Sequence, residues 1–196
     1  MDPGRFGEPL EYTIVNVVAT TALDATIDCN HVSRHTCNCE YDPKRFAALK
    51  HRVRLGGSAP TFLVFTSGKI VCVGAKSIAL ARSALLRFIL HLRSIYIYIP
   101  EAYDVKSDIH IQNIVAHASV GHSVNLEAIA ADHWRHCRYE PELFPGLKFE
   151  VPAHRTVCNV FSSGKVVVTG ARESLQIENT LQYIRSIVCA FRREVI

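Results

Sequence analysis

The 196-residue chain has no hydrophobic run clean enough to cross a membrane. Its greasiest stretch, Leu85 to Pro100, is interrupted by Arg87, His91 and Arg93, and charge at that density excludes a membrane helix. A disulfide framework is missing as well. Seven cysteines is an odd count with spacings that do not pair, so reduced thiols in an intracellular compartment are expected. Met1 to Glu11 is polar and holds Pro3 and Pro9, so neither a signal peptide nor an anchor is expected there. His31, His35, Cys37 and Cys39 lie close together, as do His133, His136 and Cys137. Neither group has the paired Cys-x2-Cys spacing of a structural zinc site, and no metal is expected. No nucleophile elbow, phosphate-binding loop or paired-carboxylate motif occurs, so catalysis and cofactors are not expected either. Excess charge is small: a net +4 permits phosphate binding without demanding it.

What is present is an ordinary globular composition, 48% hydrophobic and 20% charged, in a chain long enough for one large domain or two small ones. The chain is also written twice. IVNVVAT at Ile14–Thr20 is answered by IQNIVAH at Ile111–His117, and EYDPKRF at Glu40–Phe46 by YEPELFPG at Tyr139–Gly146. FLVFTSGKIVCVGAK at Phe62–Lys76 is answered by VCNVFSSGKVVVTGAR at Val157–Arg172. Asn16 to Asn113 is 97 residues, Phe46 to Phe144 is 98, and Gly68 to Gly164 is 96. That period is too long for a solenoid unit and reads as a duplicated half-domain about a pseudo-twofold axis. The drift in offset is expected at Leu55–Ser58, a turn by composition.

Each half predicts the same order of elements. Strands over Tyr12–Thr20 and Ile109–Ala118 lead into helices over Asp24–His35 and Asn125–Trp134. A meander follows, with strands at Cys37–Tyr41, Arg52–Leu55, Thr61–Phe65 and Ile70–Gly74 in the first half. The second half has them at Cys137–Tyr139, Leu147–Val151, Thr156–Phe161 and Val166–Gly170. Ser-Gly-Lys at 67–69 and 163–165 makes the hairpin turns, and long helices over Ser77–Ser94 and Glu173–Arg193 close the halves. Five strands per half predict an α+β fold with a ten-stranded antiparallel sheet and helices on one face. Val71, Val73, Val167, Thr169, Leu63 and Val157 alternate with Ile70, Cys72, Val64, Val166, Val168 and Cys158. Both faces are therefore apolar while the helices suffice for one, which points to an exposed apolar face awaiting a partner.

These blocks resemble the core domain of TATA-box-binding proteins from about Tyr12 to Arg193; the most specific strings are YDPKRFAA, FTSGKIVCVGAK, IQNIVA, YEPELFPGL and FSSGKVVVTGA. The resemblance implies a saddle, with the ten-stranded sheet curved and four helices on its convex face. Residues 1–11 would be a short tail, with 12–106 and 107–196 the two repeats of one integrated DNA-binding domain. It implies binding and kinking of double-stranded promoter DNA from the minor groove, with Phe46, Phe65, Phe144 and Phe161 as wedges that replace lost stacking. Asn16 and Asn113 would donate to adenine N3 or thymine O2. Val18, Val71, Val115 and Val167 would form the floor, with Leu63, Val73, Val157, Asn159 and Thr169 beside them. Arg45, Arg52, Lys69, Lys76, Arg155, Lys165 and Arg172 are the expected phosphate contacts.

The resemblance further implies a nuclear protein with transcription factors IIB and IIA or their equivalents as partners, alongside RNA polymerase-specific cofactors. It also allows a weak homodimer through the concave face. Glu140, Glu142 and Leu143 match the loop that engages transcription factor IIB. Ala81, Leu85, Phe88 and Leu92 give the first long helix a buried stripe, whereas Leu86 and Leu90 stand where the family's helix is strongly basic. Either a helical partner packs there or the helix sits shifted under the Ile95–Ser107 connection.

Three positions depart from the family. Val73 replaces a threonine that Thr169 retains, Asn159 replaces a leucine, and Glu150 stands where an arginine would face phosphate. The Asn159 amide oxygen can accept from the guanine N2 amino group, so tolerance of G·C under the second repeat is expected. The same departures suit a second reading, a paralogue that keeps the saddle but works mainly by holding protein partners.

Overall fold

The computed structural model describes residues 10–54, 57–95, 97–99 and 108–193. Most of the expected tail, Leu55 and Gly56 of the expected turn, and most of the Ile95–Ser107 connection lie outside the described residues. Within them are ten strands and four α-helices. The first series is β1 (Tyr12–Ala22), α1 (Cys29–His35), β2 (Cys39–Glu40), β3 (Ala48–Arg52), β4 (Thr61–Phe65), β5 (Lys69–Ala75) and α2 (Ile78–Ser94). The second is β6 (His110–Ser119), α3 (Leu126–Asp132), β7 (Cys137–Arg138), β8 (Leu147–Val151), β9 (Thr156–Val160), β10 (Lys165–Ala171) and α4 (Ser174–Val188). The chain divides into two compact units, Val15–Gln112 and Asn113–Ile196 with Met1–Ile14.

In the first unit the strands lie in the order β2-β3-β4-β5-β1, every pairing antiparallel. The second unit repeats this as β7-β8-β9-β10-β6. Period-two alternation makes these strands two-sided. Phe62, Val64, Ile70 and Cys72 are buried, while Leu63, Val71 and Val73 between them are half-exposed. Cys158, Val160, Val166 and Val168 are buried in the second unit, with Val157, Asn159, Val167 and Thr169 half-exposed between them. Gly68 and Gly164 turn the hairpins at φ 86° and 84°, and a side chain at either would collide with the carbonyl oxygens of Ala25 or His122.

The buried face meets the helices. Ser77 Oγ accepts from the Leu80 N–H at 3.1 Å to start α2, which buries Ala81, Ala84, Leu85, Phe88, Ile89 and Leu92. A Glu173–Gln176 capping box starts α4, which buries Ile177, Leu181, Ile184 and Val188. Side chains of this size contribute about 2 kcal/mol each when fully buried. Thr156 and Thr180, also buried, satisfy each other across 2.8 Å.

Three elements differ from their sequence expectations. The strand expected at Arg52–Leu55 runs instead over Ala48–Arg52, where Leu49 is buried and pairs with Val64. Val53 leaves the ladder and closes a loop through Val53 N–H to Pro60 C=O. That loop makes the Arg52–Thr61 separation two residues longer than Glu150–Val157, the location of the drift. The helix expected from Asp24 begins at Cys29, because the Asp28 carboxylate accepts from the N–H groups of Asn30 and His31 at 2.9 and 3.1 Å and so caps it. The closing helix expected to reach Arg193 ends at Val188 and tightens into a 3-10 turn over Cys189–Phe191.

Candidate nucleic-acid interface

On the face away from the helices, side chains line up in rows across the strands. In the first unit one row is Lys50, Leu63, Val71 and Thr20, and the next is Arg52, Thr61, Val73 and Val18. The matching rows of the second unit are Lys148, Asn159, Val167 and His117, then Glu150, Val157 and Thr169. Val18, Val71, Val73, Val115, Val157, Val167, Leu63, Asn159 and Thr169 are all half-exposed on this face. Each patch is thus largely apolar but not buried within its unit; the first ends on Lys50 and Arg52 at its outer strand, the second on Lys148 and Glu150.

Asn16 and Asn113 are held identically. The Asn16 side-chain oxygen accepts from the Gly74 N–H at 2.8 Å, and that of Asn113 from the Gly170 N–H at 2.8 Å. Both glycines have φ 94° and lie where strand register shifts. Only an acceptor can face an N–H, so these bonds fix which end of each amide is turned inward. The amide nitrogens are left as donors, with no hydrogen bond to them among the described residues. Two such donors suit a ligand that presents acceptors only.

The four phenylalanines form two edge-to-face pairs. Phe46 and Phe65 lie 6.4 Å apart at 61°, and Phe144 and Phe161 lie 5.8 Å apart at 67°. Phe46 and Phe144 remain 40% and 42% exposed, which is far from a core environment. Matching turns present them: Phe46 N–H donates to Asp42 C=O and Phe144 N–H to Glu140 C=O. The two settings then diverge. Lys50 stands over the Phe46 ring at 5.4 Å, a contact the sequence reading missed. Its counterpart Lys148 is drawn 3.1 Å from Glu150 Oε1 instead. Gly146, buried under the second pair, leaves room that a Cβ would fill at 2.7 Å from Phe144 Cε1 and 3.1 Å from Phe161 Cε1. The first repeat has Ala48 at that position.

Arg45, Arg52, Lys69, Lys76, Arg155, Lys165 and Arg172 are all exposed. Lys69 and Lys165 begin strands whose half-exposed residues are Val71 and Val73, or Val167 and Thr169, so they share that face. Arg45 lies 3.6 Å from Asp42. Around the second turn Glu140 pairs with Arg138 at 3.6 Å, Glu142 is exposed and Leu143 is 81% exposed. On α2, Leu90 is exposed and Leu86 half-buried, so of these two leucines only Leu90 is freely presented. Burial pushes the thiols of Cys72 and Cys158 up to about 12 and that of half-buried Cys39 up to about 11.

Comparison with known proteins gives one answer. The family model described as transcription factor TFIID (or TATA-binding protein, TBP) matches residues 11–95 and 108–191. The chain is 37% identical over 179 residues to the TATA-box-binding protein of Acetabularia peniculus, covering 91% of this chain and 90% of that one. It is also 37% identical over 179 residues to the TATA box-binding protein-like 2 of Takifugu rubripes, covering 91% of this chain and 53% of that one. The solved Methanococcus jannaschii TBP superposes with a TM-score of 0.80 at 36% identity, over 92% of this chain and 99% of that one.

Proposed function

Because the chain belongs to the transcription factor TFIID, or TATA-binding protein, family and shares its fold, we propose that it initiates transcription by binding promoter DNA in the minor groove and kinking it. The observation that carries this reading is the two edge-to-face phenylalanine pairs, one in each repeat and each with one exposed ring. A ring that enters a base step replaces the stacking lost there, at a cost of about a few kcal/mol per opened step. Val18, Val71, Val115 and Val167 press on the widened groove, flanked by Leu63, Val73, Val157, Asn159 and Thr169. Asn16 and Asn113 donate to adenine N3 or thymine O2, and the oriented amides support that role. Arg45, Arg52, Lys69, Lys76, Arg155, Lys165 and Arg172 hold phosphates and set the position without reading sequence.

With DNA bound, Glu140, Glu142 and Leu143 meet transcription factor IIB or its equivalent, and Leu90, with Leu86 beside it, offers α2 to a further basal or polymerase-specific factor. Transcription factor IIA completes the partner set, the work is nuclear, and without DNA the apolar face pairs weakly with a second copy. In an electrophoretic shift with a TATA duplex, the wild-type chain forms a retarded complex and Phe144→Ala with Phe161→Ala does not. Equal shifts by the two proteins contradict the reading.

One observation favours a second reading, a protein-holding paralogue with relaxed sequence preference. The second repeat pairs Lys148 with Glu150 and puts Asn159 in the floor, which weakens the hold on phosphate and on A·T alike. Identity does not separate the two readings, being 37% to a TATA-box-binding protein and to a like-protein.

A further inference from the structure

Along β6, buried Ile114, Ala116 and Ala118 alternate with Asn113, Val115, His117 and Ser119 on the open face. Asn113 and Val115 have roles in the function proposed above, and His117 has none. It is half-exposed, pairs with Val167 of β10, and stands one row in from Ser119, whose partner is Lys165. His117 thus lies where the apolar floor gives way to a lysine that holds phosphate in that reading. A hollow of about 680 Å³ opens beside it, lined also by Glu11, Tyr12, Thr13, Ser163 and Lys165, all of the second unit. Of these, Glu11 and Lys165 are charged, and the Tyr12 hydroxyl donates to Glu178 Oε1 at 3.2 Å. The imidazole itself has no hydrogen-bond or ion-pair partner among the described residues.

Histidine is the side chain whose charge changes within the range of about pH 8 to pH 5. Neutral, its ring has one donor and one acceptor. Protonated, it has two donors and a positive charge, which suits a phosphate oxygen. The first repeat has Thr20 in the matching place, with no charge to gain, and the Thr20 hydroxyl already accepts from Gln112 Nε2 at 2.7 Å. Given that the open face takes DNA, as proposed above, we propose that protonated His117 holds a DNA phosphate beside the one met by Lys165. The second repeat thereby gains a proton-linked contact that Thr20 does not supply to the first. One proton passes from solvent to the ring as the complex forms, and linkage then requires affinity to rise as pH falls.

Equilibrium titration of a TATA duplex by the full chain, at about pH 7.5 and about pH 5.5 in the same salt, tests this. Over that interval the wild-type chain gains about tenfold more affinity than His117→Ser does. His117→Arg, with a permanent charge, binds at both pH values about as tightly as the wild-type chain does at the lower one. At the lower pH the log–log salt slope of the wild-type chain is steeper than that of His117→Ser by about 0.9. The gain is the same on duplexes with single G·C exchanges, since a phosphate carries no sequence. His136→Ser, at an exposed position beside buried Phe149 on the helix-covered side, keeps the wild-type profile. Equal gains by the wild-type chain and His117→Ser overturn the proposal. A gain lost on particular G·C exchanges overturns it too, because His117 then meets a base. A wild-type chain that binds no duplex at either pH contradicts the DNA reading itself, whereas binding with a His117-independent pH profile contradicts only the phosphate contact.

Discussion

The two repeats share a backbone and differ in what they present. The first sets Lys50, Leu63, Val71 and Thr20 in a row, with Lys50 over the Phe46 ring. The second sets Lys148, Asn159, Val167 and His117 in the same row, with Lys148 turned to Glu150. Around the exposed phenylalanines the first turn carries Lys44 and Arg45, the second Glu142 and Leu143. The buried side stayed alike: Leu49 and Leu147, Val64 and Val160, Ile70 and Val166 are buried in matching places. Close packing penalises change in the core, whereas the open face bears no such penalty and is free to diverge with its ligand. A duplication can thus hold its fold constant while its halves acquire different chemistry.

Removing the phenylalanine pairs tests this comparison with the largest effect. Phe144→Ala with Phe161→Ala lowers affinity for a TATA duplex by about a hundredfold, or about 3 kcal/mol. Phe46→Ala with Phe65→Ala costs a comparable amount, since both pairs have the same geometry, and equilibrium titration reads both. Exchanging the row residues comes next. Asn159→Leu with Leu63→Asn moves tolerance of a G·C pair from one half of the site to the other, a change of about tenfold per substituted pair.

Glu150→Arg frees Lys148 and restores the cation found at Arg52 in the first repeat. Affinity rises several-fold, and the log–log salt slope steepens by about 0.9 for each phosphate newly met. Gly146→Ala brings a methyl against the Phe144 ring. The ring is partly exposed and can swing aside, so stability falls by about 1 kcal/mol or less while DNA affinity drops a few-fold, as thermal melts and titrations would record.

The smallest effect concerns His51. Burial lowers its pKa in the folded chain, outweighing the backbone hydrogen bonds that raise it. The unfolded chain therefore binds that proton more readily, so His51 erodes stability as pH falls through about 6.5. Melts followed from about pH 7 to pH 5 show a shallower loss for His51→Phe than for the wild-type chain.

Much of this was legible in the sequence, for reasons that particular residues make plain. Ile70, Cys72, Val166 and Val168 announce their strands by alternation, and Gly68 and Gly164 announce their turns. The four phenylalanines came from the family resemblance and gained weight from their matching places in the two repeats, since no single one differs locally from a core aromatic. Tertiary pairing set the limits. Val53 and Leu55 make the residues after Arg52 as strand-like as those before it, and only the ladder with Thr61–Phe65 selects Ala48–Arg52. The Asn16–Gly74 bond joins residues far apart in the chain and fixes an amide orientation that no local pattern encodes. Lys50 reads as any surface lysine until the strand register brings it over Phe46. Placing Lys148 and Glu150 on one strand face did offer a signal for their pairing, as alternate residues of β8.

The most direct test is a scan of single G·C substitutions across a TATA duplex, titrated with the wild-type chain and with Asn159→Leu. The account predicts small penalties confined to one half of the site for the wild-type chain, rising to match the other half in Asn159→Leu. Equal penalties in both halves for the wild-type chain, or a profile that Asn159→Leu leaves unchanged, would contradict it.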